Sequence, residues 1–260
     1  MPFIPFHDAN PLRHIRRAWV TLSLIAANCA IFFLSLGDSD AIQGSAISFG
    51  LIPAVFNNEI DLPADLQTVP DVFTLLTYAF LHGDVWHLFG NMIFLWVFAD
   101  NVEDSLGHLR FLAFYCLSAI GAGYVHVLAA PASETPVIGA SGAVAGVAAA
   151  YLILHPFAKV WILALGRIPL RFASFWVLGF WALWQVYEVS MSEPGEEIAW
   201  WTHIGGFLTG AILVLLLRRR GTVLFDRGVA PAAAAPARVD EAASGPIGSA
   251  ARSNAKGSLE

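Results

Sequence analysis

The chain has 260 residues, 57% of them hydrophobic and only 13% charged, whereas a soluble globular domain is nearer half apolar and a quarter charged. That balance excludes an ordinary soluble domain and points to an all-α, polytopic membrane protein. The net charge of -6 is segregated by loop, and no basic patch with interleaved aromatics occurs, so nucleic acid is excluded as a partner.

A hydrocarbon core about 30 Å thick takes ~20 mostly apolar residues per helix. The first such stretch, 18–37, follows Arg13, Arg16 and Arg17. It has no small-x-small cleavage site, so it reads as a retained helix and not a signal peptide. Residues 38–83 form a long connection with Pro53, Pro63 and Pro70, apolar enough to lie in the membrane interface. Five further stretches follow, at 85–101, 109–130, 141–157, 173–191 and 200–218, the first and third of these being short. The spacing therefore predicts six spans and no internal repeat. Cys29 and Cys116 fall inside spans and read as small buried hydrophobes. With no CxxC and no HExxH, no metal site is expected, and nothing implies a cofactor. The expected organisation is an N-terminal cytoplasmic segment, 1–16, a six-helix domain, 17–220, and a disordered Ala/Pro-rich tail, 221–260.

Loop charges set the orientation. All 14 Lys and Arg lie at 13–17, at Arg110, at 159–171, or from Arg218 onward. The loops 38–83, 131–138 and 192–199 have none, but hold ten acids, among them Asp38, Glu59, Glu134 and Glu196. With six helices the basic and acidic connections alternate, and the positive-inside rule puts both termini in the cytoplasm.

On the fourth span, Ser141 shares a helix face with Ala145 and Ala148. On the sixth, His203 shares one with Gly206 and Gly210. Small-on-small faces let two backbones approach closely in a membrane, and both residues lie at the non-cytoplasmic ends of their spans. They are a candidate nucleophile and general base; the alternative is an ordinary packing motif with a passive Ser and an interfacial His. Ser141 opens its helix between Gly139 and Gly142, where unpaired N–H groups and the helix dipole suit an oxyanion. On the second span His87 and Asn91 are four residues apart and face one way, two neutral donors suited to an oxyanion. Glu103 is expected to pair with Arg110 or to cap the next helix.

These motifs resemble the rhomboid intramembrane serine proteases over about 17–218. The resemblance rests on His87-Leu-Phe-Gly-Asn91, on Gly139-Ala140-Ser141-Gly142, and on His203-Ile-Gly-Gly206 with Gly210. His82 and the Val102-Glu103…Gly107 segment are similar to family features as well. The resemblance implies a Ser141–His203 catalytic dyad without an acid, and an oxyanion hole of His87, Asn91 and the Ser141 backbone N–H. It implies a serine endopeptidase cutting transmembrane segments of membrane proteins, with those proteins and the bilayer as its only partners. Two departures stand out. Phe73-Thr74 replaces the family's usual Trp-Arg pair. Ala145 stands where some members stack an aromatic ring on the histidine, so Trp200, Trp201 or a residue of the second helix is expected to orient His203. The aromatic-rich fifth span is either the side of substrate access or a plain lipid-facing helix. The rivals are a catalytically inactive rhomboid-like protein that binds membrane helices and a small transporter; retention of both Ser141 and His203 argues against the first, and the missing inverted repeat against the second. The expected location is an integral, multi-pass position in a bacterial inner membrane.

Overall fold

A computed structural model of the protein describes residues 3–36, 39–191 and 200–227. Asp38, the acidic loop 192–199 and the part of the expected tail beyond 227 lie outside the described residues. Helix α1 spans Trp19–Ser35. The long connection that follows carries α2 (Ser39–Phe49), α3 (Pro53–Phe56) and α4 (Asp71–Thr77), the last running into a 3-10 turn at Tyr78–Phe80. Next come α5 (Val85–Phe94), a π-helical stretch (Leu95–Ala99) and α6 (Asp100–Leu106), forming one continuous rod. Then follow α7 (His108–Ala129), α8 (Ser141–Leu154), α9 (Ser174–Met191) and α10 (Trp200–Leu217). By length and composition α7 and α10 are able to cross a membrane, and α1 and α8 are shorter apolar helices.

Local chemistry sets several boundaries. The Asp84 carboxylate accepts from the backbone N–H groups of Trp86 and His87 at 2.8 and 2.9 Å, capping α5. Gly107, at φ 88°, separates α6 from α7, a conformation that a side chain resists.

The fold is mostly helical but not wholly so, which corrects the all-α expectation. Strands β1 (Phe3–Asp8), β2 (Lys159–Ala164) and β3 (Ile168–Ala173) form an antiparallel sheet in the order β1-β2-β3. Lys159 pairs with Ala173 and Ala164 with Ile168, while Phe3 and Asp8 pair with Ala164 and Val160. The segment 159–171 reads as a plain basic loop if only its charges are counted. Its period-two burial, with Val160 and Ile162 inward, is the strand signal.

The tightest packing joins α7, α8 and α10. A Cβ on Gly206 would collide with the carbonyl oxygen of Gly142, and one on Gly210 with the Gly146 backbone. A Cβ on Gly146 would come within 2.7 Å of Ser118 Oγ on α7. The Gly206 and Gly210 face of α10 thus meets α8 backbone to backbone, as membrane helices without large side chains can, but on α8 the contact falls on Gly142 and Gly146 and not on the Ser141, Ala145 and Ala148 face.

The basic segments gather at one end of the body. Glu103 is fully buried and accepts from Val20 N, Thr21 N and Thr21 Oγ1 at 2.7–3.0 Å, with His108 Nδ1 at 2.5 Å. It caps the distant helix α1 and not the next one, and among the described residues its hydrogen-bond partners do not include Arg110. Asp104 accepts from the backbone of Arg13, His14 and Ile15. Arg13 reaches Asp226 at 2.6 Å, and Phe225 N donates to Ile153 O. Tyr151 Oη donates to Asp8 Oδ2 at 2.5 Å. Burial pushes the Asp8 carboxyl up to about 7, against the opposing effect of that hydrogen bond. At the opposite end Leu51 and Val137 form a bridge, and Gly139 N donates to Tyr78 O at 2.9 Å. Cys29 and Cys116 are free and only partly buried.

Candidate active site

Ser141 is the first residue of α8, with Ala140 before it in a near-helical conformation. The N–H groups of its first turn have no intrahelical acceptor and carry the positive end of the helix dipole. His203 stands one turn into α10. The Gly142–Gly206 contact, one residue beyond Ser141 and three beyond His203, brings these two helix ends together.

Ser141 and His203 line a single cavity of about 380 Å³, together with Asn91 from α5, Phe3 from β1 and Trp181, Trp184, Gln185 and Glu188 from α9. Among the described residues no hydrogen bond joins Ser141 Oγ to His203; such pairs are often long in free enzymes and tighten with substrate. The imidazole is engaged on its other side: His203 Nδ1 lies 2.6 Å from Gln185 Oε1. Two indoles bracket the ring, Trp200 edge-on at 5.5 Å and Trp181 tilted at 6.0 Å.

His87 approaches Ser141 across Gly139. A Cβ at Gly139 would lie 2.6 Å from His87 Nε2 and 3.7 Å from Ser141 Oγ. With φ 125° at the same position, both the backbone and the space demand glycine. His82 is buried and packs edge-on against the His87 ring at 5.2 Å. Its Nε2 lies 3.2 Å from Asn91 Nδ2, which also donates to His87 O at 3.2 Å. Both amide protons of Asn91 are therefore engaged.

The cavity unites a hydroxyl at a helix N-terminus, an imidazole held from behind and an amide donor. A family profile described as "Rhomboid domain" matches residues 69–220, which include all of these groups except Phe3. The chain belongs to the rhomboid family. It is therefore an integral membrane protein built on a helical bundle.

Among rhomboid relatives, the mouse presenilin-associated rhomboid-like protein, mitochondrial, is 30% identical over 221 residues, 79% of this chain and 52% of the relative. Rhomboid protein 1, mitochondrial, of Saccharomyces cerevisiae is 31% identical over 153 residues, 55% of this chain and 41% of the relative. RHOMBOID-like protein 12, mitochondrial, of Arabidopsis thaliana is 26% identical over 208 residues, 71% of this chain and 60% of the relative. The chain thus spans between 41% and 60% of the length of these three. The locations in their names are organellar and run against the bacterial inner membrane expected from the sequence.

Of the residues singled out from the sequence, Ser141, His203 and Asn91 share the cavity, and His87 flanks it behind Gly139. Of the residues expected to orient His203, Trp200 packs on its ring, while Trp201 is half-exposed and makes no ring contact with it among the described residues. Among the described residues the ring's other contacts come not from the second span but from Gln185 and Trp181 of α9. The signal that could have found Gln185 is a neutral amide near the middle of a largely apolar span, where polar groups are costly and seek a partner.

Proposed function

We propose that this protein is an intramembrane serine endopeptidase acting through Ser141 and His203. The observation that carries the reading is the convergence of Ser141, at the N-terminus of α8, with His203 and Asn91 on one cavity. In this reading Ser141 Oγ attacks a peptide carbonyl, and His203 Nε2 takes its proton and returns it to the leaving amine. Water then hydrolyses the acyl-enzyme. The Ser141 N–H, Asn91 Nδ2 and His87 carry the oxyanion, which forms where unpaired donors at the start of α8 converge.

The six apolar helices α1, α5–α6, α7, α8, α9 and α10 are the six spans of this reading. Arg13, Arg16, Arg17, Arg218, Arg219 and Arg220 hold both termini on the cytoplasmic side. Residues 17–220 form the protease domain, with a tail after it; the segment before it is held at the basic end by Asp8 and reaches the cavity at Phe3. The substrates are single-span membrane proteins with helix-destabilising residues near the outer face, reaching the cavity past α9.

The test is cleavage of a reporter transmembrane substrate in proteoliposomes. Ser141→Ala and His203→Ala should each abolish cleavage, with thermal unfolding little changed. The double variant should be no worse than either single one, because dyad members act as a unit. Substantial cleavage by Ser141→Ala would overturn the reading. Equal helix binding without cleavage by any form, the wild type included, would favour the inactive, helix-binding alternative.

A further inference from the structure

We infer that Gln185 of α9 is a positioning residue for His203, a neutral amide that fixes the tautomer and rotation of the imidazole, so that α9 supplies the third member of the Ser141–His203 arrangement. The inference rests on the serine-protease reading for its catalytic consequence, but its structural content stands apart from it.

The orientation of the amide follows from its two contacts. Gln185 is buried, and its Nε2 donates to the backbone carbonyl of Trp181 at 3.1 Å. A carbonyl oxygen only accepts, so the NH₂ group must face Trp181 and the oxygen must face His203. The ring atom 2.6 Å from that oxygen is Nδ1. An amide oxygen has no proton to give, so Nδ1 carries the hydrogen and donates it. A neutral imidazole protonated on Nδ1 presents its lone pair on Nε2, the state a general base needs to accept the Ser141 proton.

The rest of the surroundings leaves this task to Gln185. Ala145, on the serine's own helix, is fully buried and offers only a methyl group. Trp181 and Trp200 restrain the ring plane at 6.0 and 5.5 Å, but two indole faces do not distinguish one ring nitrogen from the other. Only Gln185 does so among the described contacts of the ring. The brace also links the base to the position of α9. Nucleophile and base sit on two helices locked backbone to backbone, whereas the acceptor for Nδ1–H rides on a third. The bond is made only while α9 is seated against α10, so an outward movement of α9 releases the imidazole.

The experiment uses the full chain in detergent micelles with ¹⁵N-histidine labelling, in a Ser141→Ala background so that no turnover occurs. His203 is assigned by its loss in His203→Ala. With Gln185 present, the ¹⁵N shifts should show His203 neutral with the proton on Nδ1. Gln185→Met, which keeps length and apolar packing, should shift the ring toward the Nε2–H tautomer or a mixture. Gln185→Glu, which keeps an acceptor oxygen at the same reach, should retain Nδ1–H. In the Ser141 protein, Gln185→Met should lower kcat about tenfold, the value of one lost hydrogen bond, with KM within about twofold, and Gln185→Glu should recover most of it. An unchanged Nδ1–H tautomer in Gln185→Met overturns the inference. If the tautomer responds as described but no form cleaves substrate, the positioning role holds and the failure falls on the protease reading.

Discussion

The α8–α10 seam and the α9 flank border the same cavity with opposite packing. Along the seam, a Cβ on Gly206 or Gly210 would strike the backbone of Gly142 or Gly146, and a Cβ on Gly142 or Gly146 would crowd Ala122 or Ser118 of α7. Ala143, Ala145, Ala148 and Ala149 are fully buried around it. On α9 the residues are large, and Trp176 and Leu183 are 67% and 71% exposed. A Cβ at Gly179 would meet nothing within 4 Å. The nucleophile and base thus sit on tightly packed helices, and Gln185 reaches the base from a more loosely packed one. A site that needs sub-ångström geometry and also needs to admit a bulky substrate can be built by separating the two demands in this way.

Filling the seam is the harshest way to break the comparison. Gly206→Leu should abolish cleavage and lower stability by about 3 kcal/mol or more, since overpacking here pushes on backbone and not on a movable side chain. Thermal unfolding in detergent, read beside cleavage, checks it.

Next in size is Asn91→Ala, which leaves the seam intact. It should reduce turnover about 10²-fold, as loss of an oxyanion donor does, with a much smaller change in apparent substrate affinity; His87→Ala should behave alike. If both variants changed only thermal stability, their role would be the packing of the His82–His87–Asn91 cluster.

A subtler effect comes from Asp8, which ties β1 to α8 through Tyr151. Burial holds its carboxyl near 7, against 3.8 for the free side chain. Between about pH 4 and pH 7 the unfolded chain therefore gives up this proton while the folded chain keeps it. That contribution to stability falls as pH rises through the window and levels off above 7. Asp8→Asn retains an acceptor for the tyrosine hydroxyl and should flatten this part of the stability profile, raising Tm most at pH 7.5. Thermal scans of both proteins from pH 5 to 8 measure the difference. The smallest effect belongs to Gly179→Leu on α9, which should stay within about 1 kcal/mol of the wild type because the new side chain enters open space. Equal damage from Gly179→Leu and Gly206→Leu would erase the distinction between seam and flank.

Much of this was legible in the sequence because the seam is written in helical spacing. Ser141, Ala145 and Ala148 recur on one face, and so do His203, Gly206 and Gly210. The predicted face of α10, with Gly206 and Gly210, does form the contact, but on α8 the contact falls on Gly142 and Gly146, one residue over from the Ser141, Ala145 and Ala148 face. The apolar stretches at 18–37 through 200–218 all contain helices. Three features were not legible. The sheet escaped because Lys159, Arg167 and Arg171 dominate a charge count of a segment whose burial alternates. The partners of Glu103 escaped because Val20 and Thr21 lie more than 80 residues away. Gln185 escaped because its meeting with His203 depends on how α9 leans on α10, which no pattern within one helix encodes.

Whether Ser141 is an activated nucleophile is tested most directly by labelling with a fluorescent fluorophosphonate in detergent. The reagent should label the wild type and Gln185→Glu, label Gln185→Met more slowly, and leave Ser141→Ala and His203→Ala unlabelled. Labelling of Ser141→Ala at the wild-type rate, or none of the wild type while its thermal unfolding shows an intact fold, would contradict that role for Ser141.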